Sequence, residues 1–200
     1  MRNSIRLVAA GLAALVLSAQ MGIAQAAEIR LLNALGFKDV MDDLGPKFER
    51  ASGHKLAITF GTMGGIVKMV QGGETADIVL IPRQGIDDLV KDGKAAAGNV
   101  TVIANSSIVV VVRKGAPKPD ISSPDALKRA LLAAKSITYG NPADGGASGI
   151  HFAKVLERLG IANEMKSKTI YAKAGGETGV IVANGKAELG VNQRQVLAPV

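Results

Sequence analysis

The stretch YGNPADGGASGIHF, residues 139–152, decides how this sequence is expected to fold. It follows a short apolar segment that ends at Tyr139, and it runs through small and turn-forming residues. It then enters a helical pattern with apolar residues at i, i+3, i+4 and i+7: Phe152, Val155, Leu156, Leu159. Glycines in the turn let a ligand approach the backbone, and the unpaired N–H groups of a helix start attract an anion or a carbonyl oxygen. The stretch therefore predicts a strand, a bare turn and a helix that hold such a group.

A second stretch, TFGTMGGI at residues 59–66, repeats this plan of strand, bare turn and helix. A third glycine pair, Gly175-Gly176, precedes another predicted helix. In one such connection, glycine can be required only because a side chain would not fit there, and no ligand is then implied. Several of them in one chain favour a single ligand that is held between two lobes by helix N-termini.

Strand and helix patterns alternate from Glu28 onward. Residues 78–81 and 108–112 are continuous apolar runs, which suit strands covered by helices on both faces. The alternation and the short connections predict an open, mainly parallel α/β fold, with ligands beyond the carboxyl ends of the strands. Ser123-Pro124-Asp125 has the capping hydroxyl, proline and acid of a helix start. The alternation of strands and helices is interrupted where two strands, 100–104 and 107–113, are predicted with no helix between them.

We place the passage from one lobe to the next at that break. The predicted organisation is a signal peptide at 1–26, a first α/β lobe at 27–106, a second α/β lobe at 107–190, and the start of a return crossing to the first lobe at 191–200. The leader has two arginines, an apolar run and the small-residue segment Ala24-Gln25-Ala26. Its apolar run is shorter than the roughly 20 residues that span a bilayer. Since the chain has no cysteine, it carries neither a disulfide nor a lipid on cysteine. We therefore expect a periplasmic monomer without direct membrane insertion after signal cleavage.

The composition favours binding over catalysis. The 24 basic and 17 acidic residues give a net charge of +7, but the basic residues are scattered and lack interleaved aromatic residues, which argues against nucleic acid. With two histidines and no cysteine, no metal-ligand pair or cofactor motif is found, and none is expected. The alternative is a hydrolase or transferase that uses Ser148 and His151, although Ile150 stands where a nucleophile elbow needs glycine. A ligand-sensing domain of a transcription regulator would share the architecture, but the leader argues against it.

The order and spacing of several segments resemble one family, the solute-binding proteins of bacterial ABC importers, in particular the molybdate-binding branch. These segments are residues 29–36 with the helix to Glu49, Ser52-Gly53, residues 73–78, residues 107–115, Gly140-Asn141-Pro142 and residues 185–190. The resemblance covers nearly all of the chain after the leader. It implies the type II periplasmic binding fold, in which two α/β lobes joined by crossing strands close on a ligand like a hinge. It also implies a membrane permease as partner, no cofactor and no enzymatic activity.

The resemblance further implies a set of ligand-binding residues taken from turns of both lobes. They are Ala34, Gly36, Thr62, Met63, Gly64, Ala147, Ser148, Gly175 and Gln193. Gly36 stands where the family has a serine, and Gln193 stands where it has a tyrosine. Each lost hydrogen-bond partner of a buried charge costs about 1–3 kcal/mol, so the oxyanion site is altered. We therefore expect a small anionic or polar solute, either a molybdate-like oxyanion or a larger organic anion that reaches Gln193 and Arg194.

The C-terminal part is also expected to be shortened. In the family, the chain continues beyond the strand that ends near Gln193 and adds helices to the first lobe. Here seven residues follow Gln193. The resemblance therefore implies either that this sequence is a fragment or that the first lobe lacks a covering layer and exposes apolar surface.

Overall fold

The computed structural model describes residues 26–173 and 176–197. The expected signal peptide, residues 1–26, lies outside the described residues except for Ala26. Among the described residues, no helix combines the length and the apolar character needed to cross a membrane.

The first part of the chain builds a three-stranded parallel sheet from β1 (Glu28–Ala34), β2 (Lys55–Gly61) and β3 (Ile78–Leu80). The strand order is β2-β1-β3, so β1 is central and pairs with both neighbours. The helices of this part are α1 (Lys38–Ser52), α2 (Met63–Gln71) and α3 (Arg83–Lys91), and a 3₁₀ turn at Leu35–Phe37 follows β1. Each strand therefore ends in a short connection to a helix, as the sequence pattern predicts.

The second part builds a four-stranded sheet from β4 (Ile108–Val112), β5 (Ile137–Gly140), β6 (Thr169–Ala172) and β7 (Leu189–Gln193). The order is β4-β7-β5-β6, with β5 parallel to both neighbours and β4 antiparallel to β7. Its helices are α4 (Pro124–Ala133), α5 (Ala147–Arg158), α6 (Ala162–Lys166), α7 (Glu177–Ala183) and α8 (Arg194–Leu197), with a 3₁₀ turn at Pro142–Asp144. The predicted α/β fold with mainly parallel sheets is confirmed.

The predicted strand at Val100–Ala104 is wrong. Residues 101–107 have no regular structure, and Val102 and Ile103 are each 64% exposed. A strand needs a partner for its backbone N–H and C=O groups, and this segment pairs with neither sheet. Its apolar run Val102-Ile103-Ala104 resembles a strand, although the segment is exposed and has no strand partner.

The two faces of the first sheet are covered unequally. Leu32 and Ala34 of β1 pack with helices α2 and α3 in one buried cluster. The opposite face carries Ile78, whose side chain is 51% exposed, and helix α1 leaves Leu44 and Phe48 exposed. This side of the first sheet thus combines the buried Leu31 with exposed apolar residues.

The second sheet has the larger core. Ile137 and Tyr139 of β5 pack with Phe152 and Leu156 of α5, and the rings of Tyr139 and Phe152 meet edge to face with centroids 4.9 Å apart. Burial raises the pKa of the Tyr139 hydroxyl far above its usual range, and the neighbouring Tyr171 raises it further. Tyr139 is therefore a neutral packing residue, which fixes the strand that leads into the turn at residues 140–146.

Two fully buried threonines in this half differ in their hydrogen bonding. The hydroxyl of Thr138 has no partner among the described residues, whereas Thr178 Oγ1 accepts a hydrogen bond of 3.2 Å from Asn192 Nδ2. We expect Thr138→Val to raise the free energy of unfolding by about 1 kcal/mol, because it removes a buried unpaired hydroxyl while keeping the shape of the side chain. Thr178→Val should lower it by about 1–2 kcal/mol, since it takes an acceptor from a buried amide. Urea denaturation of both variants measures the difference, and equal losses of stability would contradict it.

Candidate functional site

A cleft with a volume of about 110 Å³, partly open to solvent, lies where the carboxyl ends of strands from both sheets meet. The lining from the first part of the chain is Ala34, Leu35, Gly36, Phe37, Thr62, Met63 and Pro82. The lining from the second part is Gly140, Asn141, Asp144, Gly146, Ala147, Ser148, Lys173, Asn192, Gln193 and Val196. The two glycine-containing stretches, residues 59–66 and 139–152, therefore contribute to one site.

Most of the predicted site residues line this cleft. They are Ala34, Gly36, Thr62, Met63, Ala147, Ser148 and Gln193. Gly64 lies beside the cleft in a contact between the two turns, and Gly175 lies outside the described residues. Arg194 and His151 are exposed and are not part of the lining. A catalytic pair of Ser148 and His151 is therefore not favoured, and ligand binding by the lining residues remains a prediction.

The two glycine turns touch each other through their backbones. The N–H of Gly64 donates a hydrogen bond of 3.0 Å to the carbonyl oxygen of Gly145. A Cβ at Gly64 would lie 3.1 Å from the Cα of Gly145, so a side chain there would hold the turns apart. In this conformation the Gly64 amide joins the two halves of the chain instead of facing the cleft.

The start of helix α2 uses most of its amides internally. Thr62 caps the helix, with Oγ1 accepting from the N–H of Gly65 at 3.1 Å and its carbonyl oxygen accepting from the N–H of Ile66 at 2.9 Å. With Gly64 bonded across the cleft, Met63 is the first-turn residue whose N–H has no acceptor among the described residues. Met63 lines the cleft, so one donor of this helix start remains for a ligand.

At the start of helix α5, fewer backbone N–H groups have a hydrogen-bond acceptor within the protein. Its N-cap residue is Gly146, which has no side chain to accept a hydrogen bond, and the carbonyl oxygen of Gly146 accepts from Ile150 N at 3.0 Å. The N–H groups of Ala147 and Ser148 have no acceptor among the described residues, and both residues line the cleft. These amides and the positive end of a 12-residue helix form an anion-attracting wall.

Side-chain amides supply further donors. Asn141 Oδ1 accepts from the N–H of Ala143 at 3.1 Å, which leaves its Nδ2 group to donate. Gln193 fills the space beside Gly36, because a Cβ at Gly36 would lie 3.0 Å from Gln193 Oε1. The glycine at position 36 and the glutamine at 193 are thus neighbours in the same wall. Gln193 is held in turn by Asn192, whose Oδ1 accepts from the Gln193 N–H at 2.8 Å.

The lining contains one cation and one anion among the described residues, Lys173 and Asp144. Sequence reasoning missed both, together with Asn141 and Asn192. Asp144 and Asn141 lie inside the stretch 139–152, so their place in the turn was the available signal. Lys173 follows the end of β6, and the rule that ligands bind beyond the carboxyl ends of parallel strands could have found it. No group of three or more His, Asp or Glu side chains in the described ranges is arranged to hold a metal ion.

Comparison with known proteins assigns the chain to a family. The family model of the bacterial extracellular solute-binding proteins matches residues 29–199. An aconitate isomerase of Pseudomonas sp is 32% identical over 178 residues, covering 86% of this chain and 66% of that protein. The molybdate-binding protein ModA of Azotobacter vinelandii is 31% identical over 168 residues, covering 84% of this chain and 65% of that protein. The chain thus spans just under two thirds of the length of these relatives.

Solved structures agree on the fold. The periplasmic molybdate-binding protein of Azotobacter vinelandii superposes with a TM-score of 0.63 at 20% identity, covering 82% of this chain and 71% of that one. The tungstate ABC transporter protein from Geobacter sulfurreducens gives a TM-score of 0.65 at 18% identity, covering 86% of this chain and 74% of that one. These likenesses confirm the type II periplasmic binding fold. The chain belongs to the bacterial extracellular solute-binding proteins.

Proposed function

We propose that this protein is the periplasmic solute-binding component of an ABC importer and that it captures a small anion between two lobes. One observation carries the proposal: amides from both halves of the chain, at Met63 and at Ala147 and Ser148, have no acceptor among the described residues and line a single cleft. Amides at helix starts bind anions without a cationic side chain. The solute would then be delivered to a membrane permease by a monomeric protein.

The proposed lobes are residues 27–106 and 107–190, with residues 191–200 beginning a return toward the first lobe. The strands of the three-stranded sheet fall in the first range, and those of the four-stranded sheet start in the second. A hydrogen bond between the end of the first range and residues 191–200 supports this division. Ser106 Oγ donates it to Gln195 Oε1 at 2.8 Å. The turns at Gly64 and Gly145 are in contact in the conformation described, and opening of the lobes would separate them.

A thermal-shift panel tests the capture of a solute. The probes are molybdate, tungstate, sulfate, succinate, citrate, amino acids and sugars, each added to the purified protein. A ligand at 100 times its dissociation constant stabilises the folded state by about 2.7 kcal/mol, which appears as a clear rise in Tm. We expect at least one anion to raise the Tm and neutral sugars to leave it unchanged. An unchanged Tm with every probe would contradict the proposed function.

A second candidate is an isomerase of an unsaturated polycarboxylate. It is favoured by the 32% identity to the aconitate isomerase, and the cleft offers Asp144 and Lys173 as groups that could exchange a proton. Incubation with cis-aconitate, followed by proton NMR, distinguishes the two functions. Transport binding predicts an unchanged spectrum over hours, whereas the appearance of trans-aconitate above a protein-free control would establish the isomerase.

A further inference from the structure

We infer that the cleft takes a carboxylate with several carbon atoms in preference to a tetrahedral oxyanion. This inference rests on the solute-binding function proposed above and names its substrate class. It follows from three properties of the cleft: the spacing of its donors, its apolar wall and its mixed charge.

The donors are spread across the edge of the second sheet. Gln193 ends β7, Lys173 follows the end of β6, and the start of α5 follows β5, which lies between them. Neighbouring strands are about 4.8 Å apart, so the backbones of β6 and β7 are separated by roughly 10 Å. The two outer donors of this row belong to the side chains of Gln193 and Lys173, and both would have to reach toward the start of α5 to meet one tetrahedral ion. A chain of carbon atoms with a carboxylate at each end matches the row.

Hydrocarbon forms another part of the wall. Phe37, Pro82 and Val196 line the cleft together with Leu35. A tetrahedral oxyanion has oxygen on every side and needs a hydrogen-bond donor for each, so apolar side chains next to it leave its oxygens without partners. The methylene groups of an organic acid are instead removed from water when they contact the same side chains.

The charges of the lining also favour an anion whose negative charges are separated from each other. Lys173 is the basic residue and Asp144 the acidic residue of the described lining. In a compact dianion both charges lie at one point, so Asp144 in the same cleft repels both of them together. A polycarboxylate separates its charges, which lets one carboxylate bind Lys173 and another bind the amides of Ala147 and Ser148. A hydroxyl group on such an acid could donate a hydrogen bond to Asp144.

Isothermal titration calorimetry tests the substrate class. The probes are propane-1,2,3-tricarboxylate, succinate, molybdate and tungstate at equal ionic strength. We expect at least one carboxylate to bind tenfold or more tightly than molybdate and tungstate. Tighter binding of molybdate or tungstate would overturn this inference and leave the solute-binding function standing. Binding of none of these anions, with no response in the thermal-shift panel, would overturn the solute-binding function itself.

A pair of lysine variants locates the binding. Lys173→Met should weaken binding of the preferred carboxylate about tenfold, because it removes the cation of the cleft. Lys154→Met makes the same change on the exposed side of α5, away from the lining, and should leave the affinity unchanged. Equal losses in the two variants would show a nonspecific charge effect and overturn the assignment to this cleft.

Discussion

Replacing Gly149 with alanine is expected to lower the free energy of unfolding by about 3 kcal/mol or more. A Cβ at this position would lie 2.2 Å from the carbonyl oxygen of Gly140 and 2.9 Å from its carbonyl carbon. Both atoms belong to the backbone, so no side-chain rotation relieves the clash, and the helix must move off the end of β5. Urea denaturation followed by circular dichroism measures the loss.

Gly146→Ala is the matched control for this prediction. It adds the same methyl group three residues earlier, where no atom of the described residues other than the two chain neighbours lies within 4 Å of the new Cβ. There φ is −73°, a value that alanine adopts without strain. Its unfolding free energy should stay within about 0.5 kcal/mol of the parent value. If Gly149→Ala were as stable as Gly146→Ala, helix α5 would not lie as close to β5 as described. The close approach is what brings the amides of Ala147 and Ser148 to the edge of the cleft.

Replacing Ala147 with proline is expected to weaken anion binding by about 10- to 100-fold, the effect of losing one hydrogen bond to a charged group, about 1.5–3 kcal/mol. Ala147 is the first residue of α5, where proline is tolerated because that N–H has no partner inside the helix. The preceding Gly146 has φ −73° and ψ 127°, the extended backbone that proline requires before it. The measurement is a calorimetric titration with the anion that the panel identifies.

Ala147→Ser provides the control for the proline variant. It keeps the backbone N–H and changes the side chain by one hydroxyl group, so its affinity should remain within a few-fold of the parent. The unfolding free energies of both variants should be close to the parent value, which separates a lost donor from a damaged helix. Parent-like affinity in the proline variant would contradict the role of this amide.

The local features of the fold could be predicted from the sequence. Strand β4 covers Ile108–Val112, the continuous apolar run that predicts it. The helix start at Ser123 is confirmed, since Ser123 Oγ accepts a hydrogen bond of 3.1 Å from the N–H of Ala126. Such features depend on neighbouring residues only, and a single sequence contains that information.

Features that depend on distant residues could not be predicted in the same way. The segment at Val100–Ala104 has the pattern of a strand, but a strand also needs a partner, and pairing is decided by the whole fold. The hydrogen bond between Gly64 and Gly145 joins turns that are far apart in the chain. Lys173 and Asp144 were missed because their positions beyond strand ends indicate a place near the cleft but do not tell which of the side chains there line it.

The central claim is that amides from both halves of the chain bind one anion in one cleft. Amide chemical shifts in a ¹⁵N-labelled protein, recorded while the anion selected by the panel is added, test it most directly. We predict that the resonances of Met63, Ala147 and Ser148 move together along one saturation curve, while those of the exposed loop at residues 101–107 stay in place. Movement of resonances from one half alone, or saturation of the protein without any shift at these three amides, would contradict the account.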